Sequence, residues 1–134
     1  MTVLMDVNTL VAALCVNHVH HVRAQAWLSG QTSVASTPIT QLGFVRVAVQ
    51  AGLVASVSEA RTLLESFAAA EVHEFWPDAL GVNDPRMPPV SGPKQLTDSH
   101  LVALARQRTG KLATFDRGIL GLPGVSPEQV ELLS

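Results

Sequence analysis

Two rhythms of apolar and polar positions run along the chain. Val3-Leu4-Met5, within the stretch Thr2 to Val7, is a short unbroken apolar run that stops at Asp6. That is the pattern of a strand buried on both faces. A helical segment follows through Leu10, Ala13 and Leu14. From His18 to Ser29, Val19, Val22 and Ala26 recur at helical spacing, and Gly30 supplies the stop. Ser33 to Ser36 predicts a second strand, and Thr37-Pro38 starts a helix with a capping threonine and proline at its first position. This helix carries Leu42, Val45 and Val49 on one face and ends at Gly52. Ser58 to Ala70 predicts another, capped by Ser58, with Ala60, Leu63, Leu64 and Phe67 inward. Val72 to Trp76 alternates as a strand does.

The pattern then breaks. Pro77 to Gln95 holds five of the eight prolines and two glycines, with no period. A loop of that length in a compact domain usually carries function or docks a partner. Thr97 to Arg108 resumes as a helix with Leu101, Leu104 and Ala105 inward and Gly110 at its end. Leu112 to Phe115 is a buried strand that delivers Asp116, and Val130 to Leu133 adds an edge strand. No internal repeat or boundary interrupts this order. It predicts one domain over residues 1–134, an α/β fold built as a three-layer α/β/α sandwich around a mainly parallel sheet. In such folds ligands bind beyond the carboxyl ends of the strands. Asp6 and Asp116 both end strands, so they should share that edge. Asp98 opens a helix, where the dipole and free N–H groups favour a carboxylate.

Composition agrees with a globular chain: 47 % hydrophobic and 15 % charged. No apolar run approaches the roughly 20 residues that span a bilayer, so no membrane partner is expected. The start lacks the marks of a secretory signal. The single cysteine, Cys15, reads as a small buried hydrophobe and fits a reducing compartment, so the expected location is cytoplasmic. The formal charge is −2, yet Lys94, Arg106, Arg108, Lys111 and Arg117 lie in a stretch whose only acids are Asp98 and Asp116. That balance suits a phosphate-bearing substrate. An ordinary solvated helix face gives the same pattern.

Converging carboxylates repel one another, and a hard divalent cation relieves that repulsion. Mg²⁺ or Mn²⁺ prefers oxygen ligands and keeps several waters. A metal-activated water can attack a phosphodiester in line while the ion neutralises the phosphoryl oxygens. Taken singly, Asp98 reads as well as a helix cap, and Asp6 and Asp116 as turn residues.

Four stretches together resemble the motifs of PIN domains. They are Leu4-Met5-Asp6-Val7-Asn8-Thr9-Leu10, Ser36 to Val47, Leu96-Thr97-Asp98-Ser99-His100 to Ala105, and Leu112-Ala113-Thr114-Phe115-Asp116-Arg117-Gly118. Their order and separation match over essentially the whole chain. The histidine-bearing helix before Trp27-Leu28 is also similar to that of VapC-type PIN toxins. The resemblance implies an endoribonuclease using Mg²⁺ or Mn²⁺, leaving a 3′-hydroxyl and a 5′-phosphate. It implies a toxin of a toxin–antitoxin pair, a homodimer, inhibited by a cognate VapB-like antitoxin whose C-terminal segment threads the site. By position it makes Asp6, Asp98 and Asp116 the metal-binding acids, with Asn8 and Thr114 orienting ligands or water.

One position departs from that family pattern. Gln41 stands where the second motif carries glutamate, so the site holds one carboxylate fewer. A glutamine carbonyl still ligates a cation or positions water, with weaker metal affinity and poorer water activation expected. The alternative reading is therefore a PIN-fold protein that binds RNA or antitoxin without cutting. A phosphatase of the haloacid-dehalogenase type is a more distant rival, because it wants a second aspartate where Asn8 stands.

The remaining signals are smaller. His18, His20 and His21 invite a zinc reading, but neighbours on a helix do not converge on one ion, and an exposed face or dimer contact fits better. His100, Arg46 and Arg117 are candidate contacts to substrate or antitoxin. Trp27, Phe44, Phe67, Phe75 and Trp76 read as core or interface. With no tyrosine and no spaced aromatic platform, base stacking is not indicated. The apolar Val47, Val49, Leu53 and Val54 are compatible with a dimer surface.

Overall fold

The computed structural model describes residues 1–134. Five short strands, β1 (Val3–Met5), β2 (Val34–Ser36), β3 (His73–Phe75), β4 (Lys111–Thr114) and β5 (Val130–Leu132), form one sheet in the order β3-β2-β1-β4-β5. Every pairing is parallel, with Leu4 opposite Ala35 on one side and Leu112 on the other. Parallel neighbours need long crossovers, and the helices supply them. They are α1 (Val7–Leu14), α2 (His21–Ser29), α3 (Pro38–Gln50), α4 (Val57–Ala68) and α5 (Leu96–Gln107).

Alternation along each strand sorts the core into two layers. Val3, Met5, Val34 and Ala113 pack with Leu10, Phe44, Ala60 and Phe67 of the first four helices. Leu4, Ala35, Leu112 and Val130 point the other way, onto Leu101, Val102 and Leu104 of α5. The three-layer sandwich with a parallel sheet is thus what the pattern predicted. Chain reversal is tight at two glycines. Gly52 takes φ of 71° just past α3, and a Cβ on Gly110 would sit 2.5 Å from the Thr2 carbonyl oxygen.

Several local expectations need correcting. α2 begins at His21, and its inward residues are Ala24 and Trp27. Val19, in the turn before His21, and Val22, on the outward side of α2, are 85 % and 83 % exposed. Ser56, not Ser58, caps α4 by accepting the Glu59 N–H. On α3 the deeply buried side is Thr40, Phe44 and Ala48, whereas Leu42 is 69 % exposed. Val54 is buried, and Val47, Val49 and Leu53 are half-buried, packed against this chain's own core. Phe75 is exposed on the edge strand; Trp27, Phe44, Phe67 and Trp76 are buried. The Thr37–Thr40 pair forms a reciprocal capping box with Pro38 at the first turn.

The proline-rich loop is laid over the rest of the chain by specific bonds. Asp78 accepts the Ile39 N–H at 3.0 Å and lies 3.2 Å from His100 Nε2. Ser99 Oγ donates to the Pro88 carbonyl at 2.6 Å. No helix is long and apolar enough to cross a membrane.

Candidate active site

The site lies where β1 and β4 end, at the edge where the crossovers depart to opposite sides of the sheet. Asp6 ends β1 and also caps α1. Its Oδ1 accepts the Thr9 N–H at 2.8 Å, and its Oδ2 accepts the Thr114 hydroxyl at 2.5 Å. Thr9 Oγ1 in turn donates to the Ala113 carbonyl, which pins the start of α1 to β4. The same Thr114 oxygen accepts the Asp116 N–H at 2.9 Å, so one buried hydroxyl ties both acids together. Asp116 is exposed, and its Oδ1 accepts the Gly118 N–H at 2.8 Å at the head of a short 3₁₀ turn, Arg117–Gly121.

Asp98 sits in the first turn of α5, half-buried, and makes no hydrogen bond. The expected N–H partners at the helix start do not reach it. Burial pushes its carboxyl up to about 6, and the charges of Asp6 and Asp116 push the same way. Asp6 is raised too, chiefly by burial, against the lowering effect of its bonds from Thr114 and Thr9. The charges of Asp6 and Asp116 are both felt at Asp98, so the three acids share one electrostatic neighbourhood. They are not gathered around a point, however: no three His, Cys, Asp or Glu side chains stand close enough to enclose an ion. The donor chemistry still fits a hard cation. All the free donors are carboxylate oxygens, two of the acids are oriented by bonds to Thr9, Thr114 and Gly118, and the third has no partner.

Gln41 is held at the neighbouring strand end. Its Nε2 donates to Ser36 Oγ at 3.0 Å, at the end of β2, and Ser36 Oγ lies 2.7 Å from His73 Nε2. Burial lowers the His73 imidazole, and the chain of bonds runs from Gln41 to Ser36 to His73. Asn8 is exposed two residues after Asp6, and Arg117 is exposed beside Asp116 with no partner. His100 is pinned to Asp78. Arg46 is exposed on α3 and lines an open groove of about 740 Å³ between α3 and α4, with Leu42, Val45, Val57, Arg61 and Leu64.

The basic stretch divides in space. α5 runs away from Asp98, so Arg106 and Arg108 lie at its far end, about 12 and 15 Å along the axis. Lys111 begins β4 at the same far edge. Arg106 binds the Arg86 and Gly124 carbonyls, and Arg108 lies over the Trp76 ring at 5.5 Å. Only Lys94 and Arg117 remain at the acid edge. Contiguity in sequence hid this, because a helix and its following strand carry neighbours in opposite directions.

The sequence reading passed over Thr9, Ser36, His73 and Asp78. Thr9 was signalled by its spacing of three from Asp6, which is cap spacing. The others had no local signal, since their partners are distant in the chain.

A family model for the PIN domain matches residues 3–124. The chain belongs to the PIN-domain family. This PIN domain is 42 % identical over 125 residues to a protein named Ribonuclease VapC29 of Mycobacterium tuberculosis, covering 92 % of each chain. It is 37 % identical to Ribonuclease VapC38 of the same organism, covering 98 % of this chain and 97 % of that one. Among solved structures it superposes on VapBC2 from Rickettsia felis, bound to a fragment of promoter DNA, with a TM-score of 0.62 at 14 % identity, covering 100 % of both chains. M. tuberculosis VapC20, a sarcin–ricin-loop-cleaving toxin, gives the same TM-score and identity over 93 % of this chain and 99 % of that one. At such identity these structures establish the fold alone.

Proposed function

We propose that this PIN domain is an endoribonuclease, the toxin of a VapBC-type toxin–antitoxin pair, that hydrolyses RNA phosphodiester bonds with Mg²⁺ or Mn²⁺. The observation that carries the reading is that one buried hydroxyl, that of Thr114, ties Asp6 and Asp116 together at the carboxyl edge, with Asp98 in the first turn of α5, in a chain 42 % identical to a named ribonuclease. Asp6, Asp98 and Asp116 would hold the cation, which when bound acidifies water and neutralises charge on phosphoryl oxygens. Thr114 fixes Asp6 and Asp116 relative to each other, and Asn8 is exposed to orient substrate. Gln41 supplies a neutral amide beside this edge.

Purified protein incubated with structured RNA and Mn²⁺ should cut it, leaving 3′-hydroxyl and 5′-phosphate ends. Gln41→Glu, which adds a charge, should raise the rate about tenfold by tightening the cation. If the wild type is silent while Gln41→Glu cuts, the binding-only reading wins.

Lys94 and Arg117 are the cations placed to meet phosphates. Replacing both with alanine should flatten the plot of log affinity against log salt by about 1.4, near 0.7 per contact to a single strand. Replacing Arg108 and Lys111 should leave it unchanged. The opposite pattern would show that RNA binds the far edge.

The groove between α3 and α4 is the surface that suits the antitoxin. Leu42, Val45, Val57 and Leu64 offer apolar surface and Arg46 and Arg61 offer charge, which suits a segment combining apolar and acidic side chains. A homodimer follows from the family resemblance, with exposed Ile39, Val82 and Leu96 as its apolar contribution.

A further inference from the structure

The three histidines between α1 and α2 are not used by the acid site. They form no metal-holding group. His21 is structural, with Nδ1 2.8 Å from the Ala12 carbonyl oxygen in the last turns of α1. His20 differs. Its exposed imidazole lies flat against Phe115, with ring centroids 4.9 Å apart and planes within 15°. The His18 ring follows at 5.7 Å, tilted by 44°, and its Nδ1 accepts the His20 N–H at 3.0 Å, which fixes the pair.

Phe115 stands between Thr114 and Asp116, so this row of rings starts at the acid edge itself. Val16, Val19 and Val22, in the same stretch of chain as His18 and His20, are more than three-quarters exposed, and Arg117 follows Phe115 by two residues. A flat ring on a fixed aromatic base, in an apolar setting beside a phosphate-cutting site, has the makings of a stacking surface. The fold assembles it from residues about a hundred positions apart, which is why no aromatic spacing revealed it.

We propose that His20, backed by Phe115 and flanked by His18, stacks an unpaired RNA base next to the phosphate that is cut. Stacking of this kind tolerates any base, because each has a π face, and the pre-set ring loses little entropy on binding. Arg117 meets the phosphate that joins the stacked nucleotide to its neighbour. The inference rests on the ribonuclease reading.

The test compares affinities of two labelled ten-nucleotide probes, oligoadenylate and an abasic ribose-phosphate chain of equal length, with all proteins carrying Asp98→Asn so that neither probe is cut. His20→Ala should weaken oligoadenylate about tenfold and leave the abasic probe unchanged. His20→Phe should keep near-native affinity, and 2-aminopurine placed in the probe should be quenched by both ring-bearing proteins and not by His20→Ala. Equal losses on both probes would overturn the proposal in favour of a phosphate contact. Unchanged binding would overturn it too, leaving the rings to packing or a protein partner. Circular dichroism of His20→Ala separates a folding defect from lost stacking, and His20→Phe behaving like His20→Ala also sinks the idea. If the protein with native Asp98 cuts no RNA at all, the ribonuclease reading falls first.

Discussion

Asp98→Asn is expected to abolish RNA cleavage and, in the same protein, to stabilise the metal-free fold. The two effects have one cause. Asp98 is half-buried without a hydrogen bond, and its carboxyl is lifted to about 6 by burial and by the charges of Asp6 and Asp116. At neutral pH the folded chain holds it ionised at a cost. A shift from 3.8 to about 6 corresponds to about 3 kcal/mol at full effect, and solvent screening of a partly exposed group cuts this to about 1–2 kcal/mol. Asparagine keeps the shape and removes the charge, so thermal unfolding of Asp98→Asn at pH 7.5 in chelator should occur several degrees higher. Cleavage should fall by at least about 100-fold, since losing even a residue that merely orients a ligand costs about 10–100-fold. Cleavage that persists within tenfold of wild type would remove Asp98 from the site. A loss of stability would instead show that the acids are not in conflict.

This conflict between fold and site is also what the sequence could and could not reveal. Asp6 and Asp116 were legible because each ends an apolar run, and parallel strands put such ends on one edge. Thr37-Pro38 was legible because capping is local chemistry. Asp98 was found by its motif, but its environment was misjudged: a helix start promised N–H partners, and the structure withholds them. The basic stretch failed for a related reason, since direction reverses between α5 and β4 and parts Arg108 and Lys111 from Arg117. Val19 falls in the turn before α2 and Val22 on its outward side, because period alone does not say which side faces the core. The bond between Ser36 and His73, and the ring contact of His20 with Phe115, join distant segments and left no trace in local pattern.

A divalent cation should reverse the pH dependence of stability. In its absence Asp98 and Asp6 hold protons more tightly in the folded chain than in the unfolded one. The unfolded chain therefore binds fewer protons over this range, and stability falls as pH rises. For Asp98 the contribution is fully present below about pH 4 and is lost as pH climbs through about 6. Mn²⁺ needs the same carboxylates charged, so its stabilisation is absent at low pH and develops above about 6. At a hundred times its dissociation constant the ion adds about 2.7 kcal/mol, or about 10 °C in unfolding temperature for a chain of this size. Unfolding measured with and without Mn²⁺ should show that difference at pH 7.5 and little of it at pH 5. Subtracting the two curves cancels every group the ion does not touch, which isolates the acid edge. Asp98→Asn should lose most of the Mn²⁺ shift while keeping its own higher baseline. A Mn²⁺ shift of equal size at both pH values, or one undiminished in Asp98→Asn, would place the ion away from these three aspartates.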